Sequence, residues 1–445
     1  MPIAIVLLLG VLAFAAKTMV AGGSHRESGN DASASVQPKP SPGIELPATL
    51  EPGSEGTEVL DLQEGLAALG YDVGGADGVY GSATANAVAA FQAAEGLPVD
   101  GTLGPETRAA LRTVVQTKLQ EEAAPIRNGL DAAAQSGAMT AAQASELRSK
   151  LDTMIADAAK IPPAHALYLP VVLRDAGAQS AELTRPRALA LLGEVGANLS
   201  YLRRHAVPAE RVDTEDADRI TYRFFPDHGF QFHPLAAFAR LNILVTKSKR
   251  EEAERLAAAL VERGIPAGDT LTWEYYFSVN GGPGRWTSAL AQAAAADALA
   301  RAGQLLDDDA SLYEAAQAAY RAIPEGLSRP LAGGVWVREY GFADIAILNA
   351  QLQTIVSLTR YANITDDRAA RDFVSRLSTA AVNLLQQFDT GCWSRYSLDG
   401  SPASLDYHTY HVDLLEKLAA TSGAPIWATT GSRWRGYLEG GGCPP

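Results

Sequence analysis

Cysteine is almost absent from this chain of 445 residues, which contains only Cys392 and Cys443. Two cysteines cannot build a cysteine metal cluster, although they can form one disulfide in an oxidising compartment. The sequence also lacks a G-x-S-x-G element, a Walker loop and a dinucleotide-binding fingerprint. These absences remove the usual signatures of serine hydrolases, nucleotide hydrolases and nicotinamide-dependent enzymes. We therefore expect neither a metal nor a cofactor.

Basic residues are fewer than acidic residues, and the formal net charge is −14. Such a balance argues against binding to nucleic acid or to an anionic membrane surface. Lysine is scarce beside arginine, and arginine suits a bidentate grip on carboxylates better. A site for an acidic ligand would have to concentrate its arginines locally.

The first residues predict export. The apolar run PIAIVLLLGVLAFAA ends at Lys17; it is short for a membrane span and suits the apolar part of a signal peptide, with AFA as a cleavage signal. No basic segment precedes it, so residues 1–21 are predicted to be a signal peptide or a membrane anchor. Residues 22–52 are Gly, Ser, Asp and Pro with few apolar residues, which is typical of a disordered linker. We expect a secreted or cell-envelope protein.

Residues 53–112 contain an internal repeat. DGVYGSAT, starting at Asp77, recurs as DGTLGPET at Asp100, and each copy is an Asp-Gly turn followed by a helix start. The elements LQEGLAALGY and AVAAFQAAEGL surround the first copy. Together these elements resemble the peptidoglycan-binding domain family. The resemblance implies a small three-helix module that binds peptidoglycan.

The remainder predicts a mainly α protein. Residues 113–190 are rich in Ala, Gln and Glu with helical periodicity and are predicted to be a helical spacer. Within residues 191–445 the helices come in pairs with short connections, which favours antiparallel neighbours. We predict the pairs 234–246 with 248–264, 285–303 with 309–322, 343–361 with 366–388, and 408–421 with 427–438. The loops between pairs hold most of the tryptophans, so we expect an α/α barrel (toroid) with a site at its open end.

The stretch GCWSRYSLDGSPASLDYHTYH, residues 391–411, is the densest in aromatic and titratable groups. WSRYSL followed by LDYHTYH resembles the closing signature of the glucuronyl C5-epimerase C-terminal catalytic domain. GRWTSALAQ, VREYGFADIAILNA and SRWRGYL resemble further segments of that family, so the likeness covers about residues 220–440. The resemblance implies an isomerase that inverts C5 of glucuronic acid residues within a polysaccharide.

Epimerisation at C5 requires proton transfer on both faces of the sugar ring and neutralisation of the carboxylate. By resemblance the family's tyrosines fall on Tyr340, Tyr396 and Tyr407, the last two as the proton-transfer pair. The turn SLDGSP can fold the loop back between them, with Gly400 and Pro402 as the bend. A cation near a phenol would lower the free-energy cost of ionising that phenol at neutral pH. The substrate-binding candidates are Glu339, Arg395, Asp406, His408, His411, Gln292, Asn349, Trp286, Arg223 and His233.

Two features depart from the family. Gly341 stands where the family usually has proline, and helices with a peptidoglycan-binding module stand where animal enzymes have β-rich domains. Three other functions remain open: a uronate lyase, a glycoside hydrolase using Glu274, Glu339 or Asp406, and a non-catalytic wall glycan receptor. His408 and His411 could ligate a metal, although no third ligand stands at a recognisable spacing. Cys392 and Cys443 are predicted to form a disulfide.

Overall fold

The computed structural model of the protein describes residues 49–441 and 443, except residues 159, 162, 167, 206, 209 and 210. This part of the chain is mainly helical and has a few short strands. It divides into an N-terminal unit of residues 49–216 and 222–232, and a C-terminal unit of residues 217–221 and 233–443. The predicted signal or anchor, residues 1–21, and nearly all of the predicted linker lie outside the described residues. No described helix has both the length and the hydropathy that a bilayer crossing needs.

The N-terminal unit opens with three helices, as the repeat predicts: α1 (Thr57–Ala68), α2 (Ser82–Ala94) and α3 (Pro105–Ser136). A buried glutamine explains why the repeat has its sequence. The Gln63 side chain donates to Asp77 and Thr84 and accepts from the backbone of the Asp-Gly turn. Gln92 makes the same contacts in the second copy. Each Asp-Gly turn is therefore held by hydrogen bonds to the glutamine side chain of the preceding helix.

Packing continues beyond the predicted module, residues 53–112, at both ends. Leu50 is buried and exchanges two backbone hydrogen bonds with Leu103, so the folded module already includes residue 50. At the other end α3 continues to Ser136 without a break at residue 112, because Leu111, Val115 and Leu119 continue one buried helical face. The predicted spacer is thus an extension of the same unit.

The N-terminal unit continues through α4 (Ala141–Ala158), α5 (Pro163–Ala166), α6 (Leu169–Ala178), α7 (Arg185–Leu202), β1 (Asp213–Glu215), β2 (Thr221–Phe225) and β3 (Gly229–Phe232). The strands form one sheet in the order β1-β2-β3, with β2 and β3 antiparallel. Because α7 packs on α4, α6 and β3, the predicted domain boundary at residue 191 falls inside a helix of this unit. The structure places the change of unit at residues 217–233 instead.

The C-terminal unit contains four successive helix pairs, and the sequence predicts all four. They are α8 (Pro234–Thr246) with α9 (Arg250–Glu262), α10 (Ala289–Leu305) with α11 (Ala310–Gly326), α12 (Leu348–Thr365) with α13 (Arg368–Leu384), and α14 (Leu405–Ser422) with α15 (Pro425–Glu439). A 3-10 turn, Leu385–Phe388, follows α13. The first helix of each pair packs on the first helix of the next, in the order α8-α10-α12-α14. These inner helices are buried around most of their circumference, whereas α13 has one apolar stripe.

Short β-hairpins occupy the connections between pairs. They are formed by β4 (Ile265–Ala267) with β5 (Thr270–Thr272), β6 (Glu274–Tyr275) with β7 (Trp286–Thr287), and β8 (Ser328–Leu331) with β9 (Gly334–Val337). The segments after β7 and β9, together with the loop before α14, lead directly into the N-terminal ends of α10, α12 and α14. Since these helices are parallel neighbours, the connections meet at one end of the unit.

Candidate active site

A tight hairpin of residues 394–403 precedes α14. Arg395 and Pro402 form an antiparallel bridge, and the Gly400 amide donates to the Ser397 carbonyl at 3.1 Å. A Cβ at Gly400 would lie 2.1 Å from the Ser397 hydroxyl oxygen, so a larger residue here would require the Ser397 side chain to move. The predicted fold-back of the SLDGSP turn is confirmed.

The 394–403 hairpin brings Tyr396 onto Tyr407 in the first turn of α14. Their ring centroids are 4.7 Å apart and the ring planes meet at 64°. A side-chain hydrogen bond joins the two phenols, and a second one joins Tyr396 to Tyr340. Tyr396 and Tyr340 keep 8% and 6% of their surface exposed, while Tyr407 keeps none. The three tyrosines singled out by sequence therefore form one buried cluster, of which Tyr340 and Tyr396 keep a small exposed area.

The environment keeps these phenols protonated in the resting protein. Burial raises the pKa of Tyr340 and of Tyr396 well above the usual range. Hydrogen bonds from Tyr396 and Asn280 act in the opposite direction on Tyr340 and lower its pKa. Of these two phenols, Tyr340 is thus the one whose ionised form receives hydrogen bonds from two neighbours.

The side chains of Arg395 and His408, which adjoin Tyr396 and Tyr407 in sequence, are directed elsewhere. The Arg395 guanidinium donates to the Gly400 carbonyl at 3.0 Å and braces its own hairpin. Burial lowers the pKa of His408, whose ring stacks on Trp393 at 3.8 Å between centroids. Neighbours in sequence therefore do not face the phenols, and no charge from them lowers the cost of ionising a tyrosine.

Glu339 is the carboxyl group of the cluster. It is 1% exposed, and neither of its oxygens has a hydrogen-bond partner among the described residues. Burial raises its pKa to about 8, against a smaller opposing effect of the Ser288 hydroxyl. Its charge acts on Tyr340, Tyr396 and Tyr410. At neutral pH the group is mainly protonated and can donate a hydrogen bond.

Asn349, the second residue of α12, is also buried with unused hydrogen-bonding capacity. It is 1% exposed, and neither its side-chain nitrogen nor its oxygen has a partner among the described residues. The preceding Leu348 amide donates to the Tyr396 carbonyl at 3.0 Å. Buried amides without partners are rare in proteins, so Asn349 offers a donor and an acceptor next to the tyrosine cluster.

Asn280 is a site residue that the sequence analysis did not identify. It adopts a left-handed backbone conformation with φ 53°, in a turn closed by a 2.8 Å hydrogen bond from the Gly282 amide to the Val279 carbonyl. Its side chain hydrogen-bonds to the Tyr340 phenol. The signal was present, because Asn before Gly-Gly is typical of a turn with positive φ.

Aromatic rings line the approach to Tyr340. Trp286 stacks on Tyr275 at 4.1 Å and 9°, and its ring centroid lies 5.3 Å from that of Tyr340. Phe342, which is 38% exposed, contacts both Trp286 and Tyr340. His233 caps the N-terminus of α8 through Nδ1, and its ring lies edge-on to Tyr275 at 5.3 Å. Flat apolar rings beside polar groups suit the face of a sugar.

The two histidines of α14 form a buried layer with Ser394. The Ser394 hydroxyl oxygen lies 2.8 Å from Nδ1 of both His408 and His411, and His408 Nε2 lies 3.1 Å from the Trp434 carbonyl oxygen. Burial, together with His408, lowers the pKa of His411 to about 3. Within the described ranges, no group of three or more His, Cys, Asp and Glu side chains could hold a metal ion. This layer supports the start of α14, which carries Tyr407.

Three predicted substrate-binding residues have other surroundings. Gln292 is buried and bonds the backbone of Leu271 and Trp273. Arg223 belongs to the N-terminal unit, where its guanidinium pairs with Asp213 at 2.7 Å. Asp406 is exposed in the first turn of α14. Their substrate-binding roles stay predictions.

Local structure also explains Gly341. Its amide donates to the Thr287 carbonyl at 2.8 Å, and a Cβ there would lie 3.0 Å from the same oxygen. Proline has no amide hydrogen to donate, so this chain holds the segment after Tyr340 in another way than a proline would.

The predicted disulfide between Cys392 and Cys443 is confirmed, with the two Cα atoms 5.5 Å apart. It links the segment before the 394–403 hairpin to the chain after α15. A covalent tie at this point restrains the hairpin that carries Tyr396.

Comparison with known proteins agrees with the motifs. Residues 267–436 match the family described as D-glucuronyl C5-epimerase C-terminus, and residues 55–111 match the putative peptidoglycan binding domain. D-glucuronyl C5-epimerase of Caenorhabditis elegans is 29% identical over 182 residues, which are 36% of this chain and 30% of that protein. N-acetylmuramoyl-L-alanine amidase CwlL of Bacillus licheniformis is 45% identical over 71 residues, which are 15% of this chain and 20% of that protein.

The chain thus spans less than a third of either relative, and each likeness concerns one part of it. The epimerase-like part contains Asn280, Tyr340, Tyr396 and Tyr407, and the other part contains both Asp-Gly turns of the repeat. This chain therefore joins a segment similar to peptidoglycan-binding domains with a segment similar to the C-terminal domain of D-glucuronyl C5-epimerases.

Proposed function

We propose that this protein is a polysaccharide uronate C5-epimerase of the cell envelope, with an α/α toroid as its catalytic domain. In this proposal it removes the C5 proton of glucuronic acid residues and returns a proton to the opposite face. The N-terminal unit attaches the enzyme to peptidoglycan, and residues 1–21 direct export.

The meeting of three phenols at one end of the inner helices carries the proposal. Tyr340, Tyr396 and Tyr407 come from two separate loops and one helix start, yet hydrogen bonds link them in series. A purely structural role would not require three hydroxyl groups linked in series, two of which keep a small exposed area. A C5-epimerase requires a proton acceptor and a proton donor on opposite faces of the ring, and such a set can supply both.

The hydrogen bonds suggest how the protons move. In the active form Tyr340 has released its proton to solvent, because hydrogen bonds from Asn280 and Tyr396 stabilise its phenolate, and this phenolate takes the proton of Tyr396. The Tyr396 phenolate then removes the C5 proton while the Tyr407 phenol donates its proton to the opposite face. The Tyr407 phenolate regains a proton from Tyr396 through their hydrogen bond, and Tyr340 returns its proton to Tyr396, which restores the active form with Tyr340 ionised. The reverse epimerisation uses the same groups with exchanged roles.

The substrate carboxylate gains negative charge as C5 loses its proton. Glu339 in its protonated form and the amide of Asn349 are buried donors without partners, suited to stabilise that charge by hydrogen bonds. Trp286 and Phe342 supply flat surfaces for the neighbouring sugar. Of the three carboxylates considered for a hydrolase, Glu339 is the one close enough to the tyrosines to raise the pKa of Tyr340 and Tyr396 when it is ionised.

The test is product analysis in deuterated water with polymers that contain D-glucuronate. We expect deuterium at C5 and a mixture of the two C5 configurations, with chain length unchanged. An unsaturated uronate that absorbs in the ultraviolet would identify a lyase, and shortened saturated chains a hydrolase. Binding without any label at C5 would support the receptor function instead.

A further inference from the structure

The N-terminal unit contains a groove of about 730 Å³. One wall is the end of α1 and the following turn, residues 64–76; the other includes Tyr168, Arg174, Phe224 and Asp227, all outside the module that the repeat defines. The volume lies within the range of sites that hold small molecules. The groove is therefore shared between the module and the helical layer that follows it.

The two repeats differ at this groove. Fourteen positions separate Gln63 from Asp77, whereas only eight separate Gln92 from Asp100, although both pairs make the same contacts. The additional residues form the turn 71–76 that lines the groove. The second repeat demonstrates that holding the Asp-Gly turn does not need them.

The turn has a defined shape. The Gly74 amide donates to the Asp72 carboxylate at 2.9 Å, and Gly74 has φ 73° with the Cβ of Ala83 only 2.8 Å from where its own would be. The Tyr71 ring lies edge-on to Phe91 at 5.9 Å. The wall is thus a turn of defined shape that contributes one aromatic ring, that of Tyr71.

The groove carries both signs of charge. Oε2 of Glu64 is buried and has no hydrogen-bond partner among the described residues, where the second repeat has Ala93. Glu64 and Asp227 both act on the Tyr168 phenol, so these two acids face the same space. Arg174 lies on the opposite wall, where its Nε is 3.7 Å from the Asp175 carboxylate and its side chain keeps 57% of its surface exposed, so it can also reach a ligand. An ammonium group would match the acids, and a carboxylate would match the arginine.

We propose that this groove binds the stem peptide of peptidoglycan, with Glu64 and Asp227 receiving an ammonium group and Arg174 a carboxylate. Stem peptides carry both groups within a few bonds of each other, and the adjacent sugars suit Tyr71 and Tyr168. This inference rests on the proposed attachment to peptidoglycan. It differs from a site on the isolated module, because half of the groove belongs to residues 168–227.

The experiment uses the full chain and two probes, the disaccharide-tetrapeptide released from sacculi by a muramidase and the same disaccharide without peptide. Calorimetry should detect binding of the first probe and much weaker binding of the second. Glu64→Gln and Arg174→Gln should each weaken binding about tenfold or more, since each leaves a charged ligand group unpaired. Glu106→Gln and Arg112→Gln, exposed positions outside the groove, are the matched controls and should bind like the wild type.

Ala76→Trp provides a second variant that does not remove a polar group, because Ala76 is exposed at the groove wall. It should block the probe while circular dichroism and the melting temperature stay close to wild type. Equal binding of both probes, or unchanged binding by all three groove variants, would overturn the inference. Sedimentation with intact sacculi distinguishes the groove proposal from the proposed attachment to peptidoglycan. If the wild type sediments with sacculi but shows no peptide-dependent binding, the groove proposal alone is rejected. If the wild type does not sediment with sacculi, attachment to peptidoglycan is rejected as well.

Discussion

The ring of Tyr396 meets the ring of Tyr407 edge to face, with 4.7 Å between centroids. One phenol comes from the bend of the 394–403 hairpin and the other from the first turn of α14, so their contact depends on Gly400 and on the Ser394-histidine layer below. This arrangement holds two proton-transfer groups at a fixed distance. Substitutions that disturb these supporting residues should therefore lower activity even though the residues do not contact the substrate.

Asn280 is expected to position and tune Tyr340. Asn280→Ala removes one of the two hydrogen bonds that lower the Tyr340 pKa, so the activity profile should shift to higher pH and kcat should fall by roughly fivefold to tenfold, the scale of one lost hydrogen bond. KM should change little. The matched control is Asn383→Ala, which removes an asparagine of α13 whose side chain donates to the Ala332 carbonyl. A fall in kcat with an unmoved pH profile would contradict the tuning role.

Glu339 should make stability depend on pH. Its pKa is about 8 in the folded protein against an ordinary value of 4.5, so the folded state keeps a proton that the unfolded chain loses. The free energy of unfolding is therefore highest below pH 4.5, falls as pH rises from 4.5 to 8, and is level above. Each pKa unit corresponds to about 1.4 kcal/mol, which allows a total of a few kcal/mol.

Denaturant titrations from pH 4 to pH 9 measure this loss. Glu339→Gln should remove the part of the slope that Glu339 contributes and should be more stable than the wild type above pH 8, whereas Glu64 and Glu194, whose pKa values burial also raises, keep their own parts. Glu325→Gln, an exposed carboxylate on α11, should retain the wild-type slope. A Glu339→Gln protein with the full pH dependence would mean that this carboxyl group ionises freely in the fold.

The disulfide should stabilise the C-terminal unit. It closes a loop with a sequence separation of 51 residues, for which the chain-entropy relation gives about 4 kcal/mol as an upper value. The double variant Cys392→Ser, Cys443→Ser should lose about 2–4 kcal/mol in denaturant unfolding. An equal midpoint for the oxidised wild type, the reduced wild type and the variant would show that the tie contributes nothing.

Much of the fold follows from local sequence. The four helix pairs were predictable because apolar periodicity, caps and short connections all agree, and the 394–403 bend was predictable from Gly400 and Pro402. The domain boundary predicted at residue 191 could not be corrected from the sequence, since α7 has ordinary helical periodicity. Only the packing of α7 on α4, α6 and β3 assigns it to the N-terminal unit. Tertiary contacts decide such cases, and a single sequence does not contain them.

The sequence predicted which residues lie at the site better than it predicted where their side chains point. The motifs brought Tyr340, Tyr396 and Tyr407 to attention, and they do converge. The directions of Arg395 and His408 could not be read from their positions next to Tyr396 and Tyr407, because consecutive side chains on a hairpin or helix point different ways. Both are held by local partners, Gly400 in one case and Ser394 with Trp434 in the other.

The most direct test of the central claim is the rate of deuterium incorporation at C5 of a glucuronate polymer by the wild type, Tyr396→Phe and Tyr407→Phe. Tyr313→Phe is the matched control, because the Tyr313 phenol on α11 bonds Asp308 in the connection between α10 and α11. We predict label at C5 with the wild type and the control. We also predict a loss of about a hundredfold or more in each site variant, the scale of a removed general acid or base, with melting temperatures little changed. Label at the wild-type rate in both site variants would contradict the account.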